Sequence, residues 1–150
     1  MADGSAALDL ALNDIEEDCG TAIAGERVLR FQLATLKLIE KELPEIVTEA
    51  ISAAQRYLAG QETRMGLRSL QLKCWSVLDE KYPGQTLSNP EVSAIRAAIF
   101  LLHAGQVDQD DDFVNASSFF LNLINNIEPH YEEELHLMKT ILARCAPVRT

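Results

Sequence analysis

Apolar residues recur every three or four positions through almost the whole chain, and almost nowhere in alternation. That spacing gathers apolar side chains on one face of a helix, so the chain must bury its helices against one another. Val28, Phe31, Leu36, Ile39 and Leu43 follow it. So do Val47, Ile51, Ala54 and Leu58, then Leu67, Leu70, Cys74 and Val77/Leu78. Val92, Ile95, Ile99 and Leu102 form the next stripe, and Phe113, Ala116, Phe120, Ile124 and Ile127 another. Tyr131, Leu135, Met138, Leu142 and Cys145 complete the series. A short helix over 6–18 precedes them, with Leu8, Leu12 and Ile15 on one side. Its Glu16, Glu17 and Asp18 oppose the macrodipole at the C-terminal end, so it depends on tertiary contacts.

Punctuation falls between these stripes. Gly20 and Gly25 bracket a loop, and the second helix runs over 26–42. Pro44 suits the first turn of the third, where its missing N–H costs little. Gly60 supplies a left-handed C-cap, and Thr63 opens the fourth helix. Tyr82, Pro83 and Gly84 close it. Ser88 and Glu91 offer a capping box with Pro90 in the first turn of the fifth, which ends at Gly105. The aspartates over 108–112 can cap the sixth, and Pro129 separates it from the last. The expected fold is all-α: a single compact bundle of six or seven mostly antiparallel helices, one domain over 1–150. Leu70, Ile95, Phe120 and Leu135 are expected in its core.

Charge narrows the partners. The formal net charge is -10 although 47% of the residues are hydrophobic, which describes a folded body with an anionic surface. Such a surface repels phosphate backbone and anionic lipid, so neither nucleic acid nor membrane is expected as a partner. No stretch approaches the roughly 18 apolar residues of a membrane span. The longest, over 95–102, is interrupted by Arg96 and ends at His103. The N-terminus has no secretory pattern. Cys19, Cys74 and Cys145 are far apart and form no CxxC pair, so buried thiols in a reducing cytoplasm are expected.

No catalytic constellation is visible. Glu133 and His136 stand at the i, i+3 spacing of di-iron bundles, but no second Glu-x-x-His pair exists to complete such a centre. Asp108, Asp110 and Asp112 match the first ligand positions of a calcium loop. Phe113 and Phe119 then occupy the places that need glycine and glutamate. No nucleophile elbow or phosphate-binding glycine loop occurs. Neither enzymatic activity, nor a metal, nor a cofactor is therefore expected. Trp75, beside Cys74, is a core residue by default, and partial exposure would make it an interface anchor.

The stretch from Ala53 through Arg56, Tyr57, Gly60 and Gln61 to Leu67, Arg68, Leu70 and Trp75 resembles the all-helical immunity proteins of bacterial polymorphic toxin systems. There an Ala-rich helix with an aromatic residue ends at Gly-Glu or Gly-Gln. A helix with Arg and Ala/Leu spacing follows, then further Ala-rich helices. The segment over 94–104 is similar in style. Gln71, Leu72 and Lys73 depart from that pattern, as do the larger residues over 123–127. The resemblance implies a cytoplasmic antidote that binds a toxin or secreted effector and occludes its active site. It assigns no inhibitory residue.

The residues point independently to a protein partner with a basic surface. Four aspartates in five positions, Asp108, Asp110, Asp111 and Asp112, exceed what helix capping requires. Their mutual repulsion would be relieved by such a partner. Glu132 and Glu133 form a second acidic candidate. A helical adaptor or effector chaperone is the alternative function. A metal-binding helical-bundle enzyme is the third and would need Glu133 and His136 as ligands.

Overall fold

The most apolar stretch of the sequence becomes the central helix of the molecule. A computed structural model describes residues 5–19, 23–39, 43–84, 89–110 and 112–143. The helices are α1 (Ser5–Cys19), α2 (Gly25–Lys37), α3 (Glu45–Leu58), α4 (Arg64–Lys81), α5 (Pro90–Ala104), α6 (Phe113–Ile127) and α7 (Tyr131–Leu137). A π-helical turn, Met138–Leu142, extends α7. Two strands of two residues each, β1 (Ile23–Ala24) and β2 (Gln109–Asp110), pair antiparallel and are the only sheet among the described residues. The fold is the expected all-α bundle.

α5 packs against α2, α3, α4 and α6. Most of its length is buried, from Val92 to Ala104. A helix apolar on nearly every side belongs in the interior. Ser93, Ala94, Ala97 and Ala98 are small enough to let neighbours approach closely. α4 and α5 run antiparallel: Asp108, just beyond α5, meets Arg64 at the start of α4, while Val92 at the start of α5 lies near Tyr82 at the end of α4. Phe31 of α2 and Phe120 of α6 meet in the core with ring centroids 6.5 Å apart.

Helix ends follow local chemistry. α3 closes in a Schellman motif: Gln61 N–H donates to Arg56 O at 2.7 Å, Gly60 N–H to Tyr57 O at 3.0 Å, and Gly60 holds φ +78°. The Thr63 hydroxyl accepts from Gly66 N–H at 3.0 Å and caps α4. Asn89, not Ser88, caps α5, its side chain accepting from Glu91 N–H at 2.8 Å and Val92 N–H at 3.4 Å. Ser88 lies outside the described residues, as do Gly20, Asp111, Cys145 and residues 40–42 of the expected second helix. α2 itself ends at Lys37. Gly25 opens α2 rather than closing a loop. Its N–H donates to Asp108 O at 2.9 Å. A Cβ there would strike Val107 O and come within 2.7 Å of Ala104 O, so only glycine permits this approach.

Two core expectations need correction. Ile95 and Phe120 are fully buried, but Leu70 and Leu135 lie only half-buried at the core's edge. Near Leu135 the inward position belongs to Glu134. It stands three residues after Tyr131 and four before Met138, on the same helical face as both. Leu135 is turned about 100° away from that line.

Candidate functional site

Three residues interrupt the burial of α5. Arg96 and Phe100 are half-buried and His103 is exposed. Spaced by four and three, they form one stripe along the central helix. Trp75 of α4 and Phe119 of α6 flank it, 40% and 41% exposed. Together with Gln71 and Ile99 they line a groove of about 200 Å³. The Phe100 and Phe119 rings pack edge-tilted at 5.5 Å. The Arg96 guanidinium lies 5.3 Å from the Trp75 ring centroid, a cation–π stack. Trp75 is therefore partly exposed and not a fully buried core residue, which keeps it a candidate anchor. Leu72 and Met65 extend the exposed apolar surface along α4.

The segment that leads into the acidic turn touches this groove. Gln106 Nε2–H donates to Gln71 Oε1 at 2.7 Å and to Leu102 O at 3.0 Å, tying the segment after α5 to the groove wall. Asp108, two residues on, accepts from Arg64 Nη2 at 2.7 Å with its side chain 88% exposed. Arg64 Nε–H donates in turn to Tyr57 Oη at 3.1 Å. The Tyr57 and Asp108 contacts raise the Arg64 pKa further, so the cation is permanent. The turn is thus held by the β1–β2 pair, by Gly25 N–H and by Arg64, and is not a free loop. Asp110 belongs to β2. Asp112 is exposed and precedes α6, but its carboxylate accepts from the Asn115 side chain at 2.9 Å and makes no backbone capping bond. Asp112 therefore does not cap α6 through its side chain, contrary to expectation.

The second acidic segment is built differently. Glu132 and Glu133 are exposed and border a shallow hollow with His136 and Leu38. His130 lies between carboxylates, its Nδ1 3.7 Å from Glu133 and its Nε2 3.5 Å from Glu128. Glu134, between the exposed Glu133 and the half-buried Leu135, is fully buried. Its Oε1 accepts from Asn125 Nδ2 at 3.0 Å and its Oε2 has no partner. Burial pushes its carboxyl up to about 7, against the pull of the Asn125 hydrogen bond and of His130. Among the described residues no group of three or more His, Cys, Asp or Glu is placed to hold a metal ion.

Cys74 is buried, and its thiol is pushed up to about 11 by burial and secondarily by Glu49. It stays protonated near neutral pH and is a poor nucleophile. Cys19 is disulfide-bonded. The expectation of reduced thiols therefore fails at Cys19. No helix among the described residues is long and apolar enough to cross a membrane.

Sequence reasoning singled out the acidic turn and Trp75. It did not single out Phe100, Phe119 or Arg96 as a site, although two of the three signals were present. Arg96 breaks the longest apolar run, and Phe119 stands outside the stripe of Phe113, Ala116, Phe120, Ile124 and Ile127. Comparison with protein-family models, curated proteins and solved structures yields no match.

Proposed function

We propose that this chain works by binding another protein, in the manner of an immunity protein that occludes a toxin or secreted effector. One observation carries the reading. Exposed Trp75 and Phe119 line a groove whose wall residue Gln71 accepts from Gln106, two residues before Asp108 of the acidic turn. Aromatic anchors surrounded by charged groups are the usual anatomy of a specific protein interface. The acidic rim, with Asp108, Asp110, Asp111 and Asp112, would steer a basic partner toward the groove. Glu132 and Glu133 lie in the other acidic segment, where no exposed large apolar side chain accompanies them. They take the lesser role in this proposal.

Neither catalysis nor a metal enters the mechanism. The cytoplasmic location belongs to the same proposal. The Cys19 disulfide counts against it, because such bonds are typical of oxidising compartments. Cell fractionation with thiol labelling decides that point: reduced Cys19 in the cytoplasmic fraction supports the location, and full oxidation in an exported fraction removes it.

The binding reading is tested by capturing partners from native cells with the intact chain and with a variant carrying Asp110→Asn, Asp111→Asn and Asp112→Asn. A basic partner should associate more slowly with the variant, and its association should depend less on salt. A partner that presents an acidic contact surface, or rates unchanged at low salt, would defeat the electrostatic part of the proposal. An adaptor or chaperone is the second reading. It would leave a captured toxin active, whereas an immunity protein would inhibit it.

A further inference from the structure

The groove carries a charge opposite to that of the molecule. In a chain with a net charge of -10, its two titratable side chains are Arg96 and His103. Among the described residues no hydrogen bond or ion pair is seen for Arg96, and its Nε–H is buried without an acceptor. Asp79 borders the adjoining hollow near Arg96, yet the two form no ion pair. A buried donor left without an acceptor is costly, and the cation–π contact with Trp75 holds the guanidinium beside the groove. Three aromatic rings, of Trp75, Phe100 and Phe119, wall that groove.

Size argues for the occupant's kind. Small-molecule sites usually enclose about 300–1,000 Å³. At about 200 Å³ and open to solvent, this groove suits a single large side chain projecting from a protein surface. We propose that the groove is a socket for a partner segment that presents an aromatic or large apolar side chain next to a carboxylate. The apolar group packs among Trp75, Phe100 and Phe119, and the carboxylate accepts from Arg96. This inference deepens the binding reading above and rests on it for its biological meaning. The partner then carries a local acid within an otherwise basic contact face, so the socket selects among basic proteins that the acidic turn attracts alike.

Model peptides test the socket without the natural partner, so its failure is distinct from failure of the proposed function. Trp75 is the sole tryptophan, and its fluorescence reports the groove directly. The probes are acetyl-Glu-Phe-Glu-amide, acetyl-Gln-Phe-Gln-amide and acetyl-Lys-Phe-Lys-amide, titrated to millimolar concentration at low salt. The net charge alone favours the lysine peptide. The socket predicts the reverse, with the glutamate peptide bound about two- to five-fold more tightly than the glutamine peptide and the lysine peptide weakest. Arg96→Gln should abolish that order, while Arg96→Lys should retain it in weakened form. Phe119→Ala should weaken all three peptides. Circular dichroism checks that each variant folds. Preference for the lysine peptide by the intact chain, an unchanged order in Arg96→Gln, or no Trp75 response to any peptide would overturn the inference.

Discussion

The two acidic segments look alike in sequence and differ in what surrounds them. The 108–112 turn and the stretch around Glu132 and Glu133 both set carboxylates beside the start of a helix. At the turn, backbone pairing and one arginine hold the chain, while Asp108 and Asp112 remain in solvent beside an aromatic groove. In the other segment Glu133 and Glu128 lie near His130, and Glu134 enters the core. The first arrangement keeps charge available at low cost. The second places a carboxyl where ionisation is penalised. A run of acidic residues therefore says little about binding until its neighbours are known.

α6 links the two segments, with Asp112 before its start and Asn125 near its end. Loosening it should disturb both and gives the largest expected effect. Phe120→Ala removes a fully buried ring that packs with Phe31, and should cost about 3–5 kcal/mol in denaturant melts. A loss well under about 1 kcal/mol would place the core elsewhere.

Next comes the buried carboxyl. Asn125→Ala leaves Glu134 without its one donor and should cost about 1–3 kcal/mol. The pH dependence has a definite sign. Burial raises the folded-state value to about 7 from the ordinary 4.5, so the folded chain holds this proton more tightly than the unfolded one. The resulting stabilisation is full below 4.5 and is lost as pH rises through about 7. Glu134→Gln should therefore lose less stability than the native chain between about pH 3.5 and pH 8, each about one unit outside the window from 4.5 to about 7. Parallel stability curves across that range would show that Glu134 does not titrate there.

The smallest effect belongs to the turn. Arg64→Ala or Asp108→Asn breaks a largely exposed ion pair, and each should change stability by less than about 1 kcal/mol. A larger loss from Asp108→Asn would mean that the turn is structural in the way the Glu134 segment is, and the contrast would collapse.

Much of the architecture was legible because its signals are local. Gly60, Thr63 and Pro90 mark helix ends by backbone chemistry that needs no tertiary partner. The 3.6-residue period identifies Ile95 and Phe120 as core positions for the same reason. Glu134 was not singled out although it shares a face with Tyr131 and Met138. A charged residue is ordinarily assigned to solvent, and only the packed environment reveals its burial. The groove was illegible for a different reason. Phe100 and Phe119 lie on separate helices, and their pairing exists only after α5 and α6 pack. Gln71 likewise interrupts a helix pattern in sequence, and its tie to Gln106 crosses 35 residues.

The central claim is that acidic turn and aromatic groove divide the work of one binding face. Stopped-flow kinetics with the captured partner test it most directly, comparing the native chain, the Asp110, Asp111 and Asp112 to Asn variant, and Trp75→Ala. The account predicts that the acidic variant mainly slows association, with the effect fading at high salt. It also predicts that Trp75→Ala mainly speeds dissociation, by about thirtyfold for an anchor worth roughly 2 kcal/mol. Association and dissociation rates unchanged in both variants would contradict it.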